Sequence, residues 1–346
     1  MRTMRAQPGA VGRSKRDRPT IFDVAETAGV SITTVSHVFS GKRRVHEQTR
    51  LRVLETAERL GYRPRTMAQA LATGRSMTLG LQITMSGHEL VLNPYFAALL
   101  PAMSLAAIDL GYSFLFVPPN PSREAFVEPL LDGGIDGGIV VDPIESDGFV
   151  AALLAAERPF ASIGRLLETP HENWVDNDHP AVVDHVLDHL RKRGYERPLL
   201  LTIPTKVSYV ADYTSSFSEL SDGKGRIVVA RDLSELAAVE AVAPILVSAD
   251  RPDAVFCIHD QLAIGVLRAA AEAGIRVPDE LGVVGVTDSA LAGHANPPLT
   301  SVRVFPEQAG RLVVELVDQL ARGGPEAVAP RIVPTRLVAR RSTARA

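Results

Sequence analysis

From Thr78 onward, short apolar runs of strand type alternate with stretches of helical period, and few folds accommodate that alternation. The first half reads as strands at Thr78–Thr84, Ser113–Val117, Gly138–Val141 and Pro159–Ile163. Helices are expected at about Pro94 to Leu110, at Arg123–Leu131 and before Pro159. The second half repeats the scheme, with strands near Leu199–Ile203, Arg226–Val229, Ala254–Ile258 and Gly282–Val286. Between them the periodicity predicts helices over Ala181–Arg193, Leu233–Ser248, Gln261–Ala273 and Pro306–Arg322. Alternating strand and helix implies parallel sheets joined by right-handed crossovers. Two such halves predict an α/β body of two lobes, with a ligand cleft at the carboxyl ends of the strands.

The stretch before Thr78 has a different character. Residues 1–75 hold 15 Lys+Arg against 6 Asp+Glu, while residues 76–346 hold 22 against 34. A basic head on an acidic body predicts that the head, and not the body, meets a polyanion. Within the head, Thr20 followed by Asp23 has the spacing of a capping box. Ile21, Val24, Ala25 and Ala28 give one apolar helical face, and Gly29 is placed to end the helix. Ser31 is a suitable N-cap for a second helix, Thr33–Phe39. Two short helices joined by a glycine turn make a helix-turn-helix, whose second helix enters the major groove. An isolated pattern of this kind equally describes a helical hairpin; the basic segment around it favours DNA.

Val35, Val38 and Phe39 are expected to face inward, leaving Ile32, Thr33, Ser36 and His37 to read base edges. Ser31, Thr34, Lys42, Arg43 and Arg44 are the expected contacts to the DNA backbone. A third helix is predicted from Glu47 to Leu60, with Leu51, Leu54, Ala57 and Leu60 inward and Gly61 as its cap.

With AGVS, TVS, Thr49–Arg50 and GYRP in place, Thr20 to Ser76 resembles the head of the lactose-repressor (LacI/GalR) family of bacterial transcription regulators. The resemblance puts Ile32, Thr33 and His37 at base-reading positions, where the family usually has Arg in place of His37. It also implies a hinge helix containing Ala68, Gln69 and Leu71, with Leu71 wedged into the minor groove; such a wedge unstacks a base step and kinks the duplex. Body segments such as Asn93-Pro94-Tyr95-Phe96 and Pro252–Ser289 are similar to the family's effector domain, which is built like a periplasmic sugar-binding protein. By that resemblance Asp260, Asp288 and Asp178 (or Asp176) fall at cleft positions. Carboxylates suit the hydroxyls of a sugar, although Asp260 and Asp178 also precede helices and could simply cap them. Tyr213 stands where the family commonly has a ligand-clamping Arg, so Tyr209 or Tyr213 could stack on a ligand ring or lie in the core.

The domain organisation expected is a disordered basic arm over 1–19, a DNA-binding head over 20–65, a hinge over 66–76, and an effector-binding and dimerisation body over 77–340. Within the body, lobe 1 is expected at about 77–175 plus 304–328, and lobe 2 at about 176–303 plus 329–340. The reading is a DNA-binding regulator, a repressor, that holds a near-palindromic operator as a homodimer under control of a sugar or related metabolite. A tetramer is left open, though the Arg-rich C-terminal tail lacks leucine heptads.

A cytoplasmic solute-binding protein without specific operator recognition is the alternative. An enzyme is not expected, because no GxSxG, P-loop, HExxH or CxxC occurs and Gly133–Gly138 form no GxGxxG. No cofactor or metal is expected; His185 and His189 have zinc spacing but lack a third ligand. The single cysteine, Cys257, fits a reducing cytoplasm, and no apolar run approaches the ~20 residues that span a membrane.

Overall fold

A computed structural model describes residues 19–40, 43–62, 75–84, 93–119, 127–128, 130–144, 146–323 and 329–345. The chain divides into two units, Met1–Ser76 and Met77–Ala346. Lys42 and the expected hinge residues Ala68, Gln69 and Leu71 lie outside the described residues, as do most of the helix expected at Arg123–Leu131 and the arm up to residue 18.

In the head, α1 spans Ile21–Ala28, α2 Ile32–Ser40 and α3 Glu47–Leu60. The capping box forms: Thr20 N donates to Asp23 Oδ2 at 2.7 Å, and Asp23 N to Thr20 Oγ1 at 3.4 Å. Gly29 takes φ 64° and ψ 40°, a left-handed turn that costs glycine little, and Val30 N closes it onto Ala25 O at 3.0 Å. Val24, Ala25, Ala28, Val35, Val53, Ala57 and Tyr62 form the core of the unit. The inward face of α3 holds Ala57 and Leu60 as expected and departs from the expectation at Leu51. Val53, Thr56 and Ala57 are buried, whereas Leu51 is 49% exposed. Both stripes share Ala57, and contact with α1 and α2 selects the one running through Val53.

The body contains two six-stranded sheets. The first comprises β1 (Thr78–Ile83), β2 (Ser113–Val117), β3 (Gly137–Val141), β4 (Phe160–Ile163), β5 (Trp174–Asn177) and β11 (Arg331–Val333), in the order β11-β5-β4-β3-β1-β2. The second comprises β6 (Pro198–Thr202), β7 (Arg226–Val229), β8 (Ala254–Cys257), β9 (Gly282–Val286), β10 (Thr300–Arg303) and β12 (Arg336–Val338), in the order β12-β10-β9-β8-β6-β7. All pairings are parallel except β10 with β12.

The helices are α4 (Tyr95–Leu110), α5 (Gly148–Ala155), α6 (His179–Lys192), α7 (Ser208–Leu220), α8 (Glu235–Leu246), α9 (Asp260–Glu272), α10 (Ala290–His294) and α11 (Pro306–Ala321). In the first lobe, α4 and α11 cover one face of the sheet and α5 the other. Gly137 and Gly138 lie in β3, not in a phosphate-binding loop; a Cβ on Gly137 would meet Pro159 O at 2.9 Å.

The last crossing between lobes departs from the expected boundary near 329. Arg331–Val333 pairs in parallel with Val175–Asn177 and so belongs to the first lobe, while Arg336–Val338 pairs with Ser301–Arg303 of the second. The strands β5, β10, β11 and β12, which the sequence reading did not single out, have three or four residues each and lie at or next to one end of each sheet. Leu130–Gly134 forms a wide π-type turn.

Candidate functional site

The residues expected to read bases lie together on the first turns of α2. Ile32 is 41% exposed, Thr33 is exposed, and Ser36 and His37 are half-buried, while Val35 is fully buried beneath them. Ser31 Oγ accepts from Thr34 N at 3.1 Å and bonds the Thr34 hydroxyl at 2.8 Å, so these two side chains fix the start of the helix. Next to His37, a groove is lined by Arg43, Arg44, His46 and Arg50 as well. Among these groups the sequence reading missed His46 and Arg50. Arg43 and Arg44 beside exposed polar side chains at a helix N-terminus suit a phosphate backbone flanking a groove, while Arg50 pairs with Glu47 at 3.2 Å at its wall.

In the body, a cleft of about 490 Å³ of empty space, including its open mouth, is lined from both lobes. From the first lobe come Asn93 and Tyr95 at the start of α4, Asp142 after β3, Ile163, and Asp176 and Asn177 at the end of β5. From the second come His179, Tyr209, Tyr213, Ile258 and His259, with Val286 at the end of β9 and Thr287 just after it. These are the carboxyl ends of parallel strands and the helix starts that follow them, where an open α/β sheet places a ligand.

Tyr209 and Tyr213 therefore line the cleft, and Tyr213 is only 2% exposed. Their rings form an aromatic wall: Tyr213 lies edge-on to His179 with centroids 5.1 Å apart, and Tyr209 edge-on to His259 at 5.8 Å.

Three expected cleft residues do not line it. Asp178 is exposed and caps α6, accepting from Ala181 N at 3.0 Å; Asp176, two residues earlier on the strand, takes the cleft position. Asp260 is fully buried, and its carboxylate accepts from Thr287 Oγ1 at 3.0 Å, Ser289 N at 2.7 Å and Ser301 Oγ at 2.6 Å. Those bonds fasten the loop after β9 to β10, and they place Thr287 and the preceding His259 at the cleft instead. Asp288 lines a neighbouring pocket that shares Tyr95 and Thr287 with the cleft, and its carboxylate pairs with Arg340 at 2.7 Å.

A polar chain joins the lobes at one side of the cleft. Arg165, after β4, grips Asp212 of α7 with both terminal nitrogens at 2.6 Å. His179 lies between two carboxylates, with Nδ1 3.2 Å from Asp212 Oδ2 and Nε2 3.3 Å from Asp176 Oδ1. Burial pulls the His179 pKa down, but Asp176 and Asp212 outweigh it and hold the imidazole above its ordinary value. Burial raises Asp212, and the bonds from Arg165 and His179 reverse this and bring it to about 2. Asp142 is pushed up to about 7, first by burial and then by Asp176, with His179 opposing. Burial alone lowers His259 to about 4, so it is neutral at physiological pH.

The direction of the Asp142 shift fixes a pH dependence. A carboxylate whose folded pKa lies above its unfolded value binds a proton more tightly in the folded state. Folding stability therefore falls as pH rises from about 4 to about 7. Asp142→Asn removes that loss. The variant is expected to melt above the parent at about pH 8 and to match it at about pH 4, with a difference of up to about 4 kcal/mol. Denaturant titrations at the two pH values check it; equal gains at both would mean that Asp142 is not held protonated.

Cys257 is fully buried in β8, and burial raises its thiol well above the ordinary value, as for an inert core cysteine. His189 Nε2 bonds Thr343 Oγ1 at 2.8 Å, and no metal-holding group of three His, Cys, Asp or Glu occurs among the described residues. Among the same residues, no helix is long and apolar enough to cross a membrane.

An exposed reading helix flanked by cations, carried on a two-lobed cleft domain, defines a DNA-binding regulator. The comparisons with known proteins agree with this class. Residues 20–65 match the family described as bacterial regulatory proteins, lacI family, and residues 187–343 match a periplasmic binding protein-like domain. The HTH-type transcriptional regulator CelR of Thermobifida fusca is 28% identical over 337 residues, covering 95% of this chain and 99% of the relative. The HTH-type transcriptional repressor PurR of Photobacterium profundum is 27% identical, covering 86% of this chain and 90% of the relative. Among solved structures, a lac repressor dimer bound to operator and the anti-inducer ONPF superimposes with a TM-score of 0.79 at 26% identity, covering 94% of this chain and 99% of that one. A CelR–cellobiose complex superimposes with a TM-score of 0.70 at 27% identity, covering 94% and 100%. The chain belongs to the lacI family of bacterial regulatory proteins, a family of transcriptional regulators and not of enzymes.

Proposed function

We propose that this regulator is a cytoplasmic repressor that holds a near-palindromic operator as a homodimer and changes its DNA affinity when a small sugar or related metabolite fills the cleft. The observation that carries the proposal is the joining of an exposed reading helix to a cleft lined from both lobes. A ligand between lobes changes their relative position, and DNA affinity and ligand affinity are then coupled reciprocally. Ile32, Thr33, Ser36 and His37 read bases; Ser31, Thr34, Lys42, Arg43 and Arg44 hold phosphates, joined by His46 and Arg50. The minor-groove role of Ala68, Gln69 and Leu71 rests on the family resemblance. The solved relatives with ONPF and cellobiose support a sugar-class ligand here.

An apolar patch supports the dimer. Leu105 and Ile108 on α4 are 65% and 68% exposed, and Phe116 on the edge strand β2 is 62% exposed. Large apolar side chains beside a sheet edge that has no further strand among the described residues suit a partner surface. Ile108→Arg is expected to shift the protein to monomer and to weaken operator binding about a hundredfold, because the two half-sites are no longer engaged together. Sedimentation velocity and DNA titration on the same variant check it. An unchanged dimer with unchanged affinity would place the interface elsewhere.

A further inference from the structure

The charges around the cleft leave one carboxylate over. Arg165 and His179 supply two positive charges, and Asp212 and Asp176 take them up in a continuous chain of contacts. Asp142 stands beside this balanced set with no hydrogen-bonded or ion-paired partner for its carboxylate among the described residues. Among the described residues, no lysine or arginine lines the cleft. His259 adds no charge, and its Nδ1 has no hydrogen-bond partner among the described residues although the residue is only 6% exposed. Tyr95, Tyr209 and Tyr213 supply the rings around these polar atoms. A buried carboxylate without a counter-ion is unfavourable and stays protonated until a cation arrives. Aromatic walls favour a cation as well, by about 0.5–2 kcal/mol for each well-placed ring. An anionic ligand, by contrast, gives Asp142 no counter-charge and lies beside Asp176, while Arg165 and His179 are already taken up by carboxylates.

We propose that the effector of this cleft carries a protonated or quaternary nitrogen, held at Asp142 and walled by the tyrosine rings. Amino sugars and small amines have this chemistry; uncharged sugars and sugar phosphates lack it. The proposal rests on the reading of the cleft as the effector site, and it narrows the class of molecule that fills it.

The test is calorimetry on the full chain at about pH 7 with three matched pairs: glucosamine and glucose, choline and its carbon isostere dimethylbutanol, putrescine and butanediol. Within at least one pair the cation is expected to bind about tenfold or more tightly than its neutral partner. In Asp142→Asn that preference should collapse, and in Tyr209→Ala both members should weaken. Neutral members that bind as well as cations, with Tyr209→Ala weakening both, overturn the charge assignment and leave the cleft as the effector site. A cation preference that survives Asp142→Asn also overturns it. Binding by no member of any pair overturns the proposal and removes support from the cleft reading too.

Discussion

Asp260→Ala is expected to destabilise the body by about 3–5 kcal/mol, the range for emptying a buried, fully bonded polar site. The carboxylate is fully buried, and it accepts from two hydroxyls and one backbone N–H that have been withdrawn from water with it. Alanine leaves all three donors facing a cavity. Burial raises the Asp260 pKa, and the bonds from Ser301, Ser289 and Thr287 oppose that rise, so the site is a balance that removal of the acceptor upsets. Urea unfolding of the body transition measures the loss. A change below about 1 kcal/mol would mean that these bonds contribute little, and Asp260 would return to consideration as a ligand contact.

Val35→Asp is expected to abolish DNA binding while leaving the body's unfolding transition where it was. Val35 is fully buried at the centre of a head core of seven residues. A domain of this size buries little apolar area, and an unpaired charge in its core costs several kcal/mol, comparable to its whole stability. The head and body are separate units, so the damage stays local. Anisotropy titration with a duplex in low salt, beside thermal unfolding of the same sample, reads both effects. A variant that still binds DNA at the parent affinity would show that the helix-turn-helix is not the binding element.

The two variants also mark where the sequence was informative. The head's caps were legible because they are local: Thr20 with Asp23, Gly29 and Ser31 each act on neighbours within a few residues. The exposure of Leu51 on α3 was not, since only packing against the other two helices chooses between stripes that share Ala57. In the body, the alternation of strand and helix was legible through β9, while β5, β10, β11 and β12 at one end of each sheet were not. The cleft mixed both cases. Tyr209 and Tyr213 were found from one helix, but Asp142, Asn93, His179 and Thr287 converge from separate elements and carry no shared spacing. The aspartates were displaced by small steps with large consequences. Asp178 lies two residues beyond Asp176, past the strand end, and caps a helix; Asp260 follows His259 and points into the lobe instead of the cleft.

The measurement that bears most directly on the account is selection of bound duplexes from a random-sequence library by the purified full chain at physiological salt. The account predicts enrichment of a near-palindromic site with a flexible pyrimidine–purine step at its centre. Salt-sensitive binding with no enriched sequence would contradict it, leaving a basic head that meets DNA only through its phosphates.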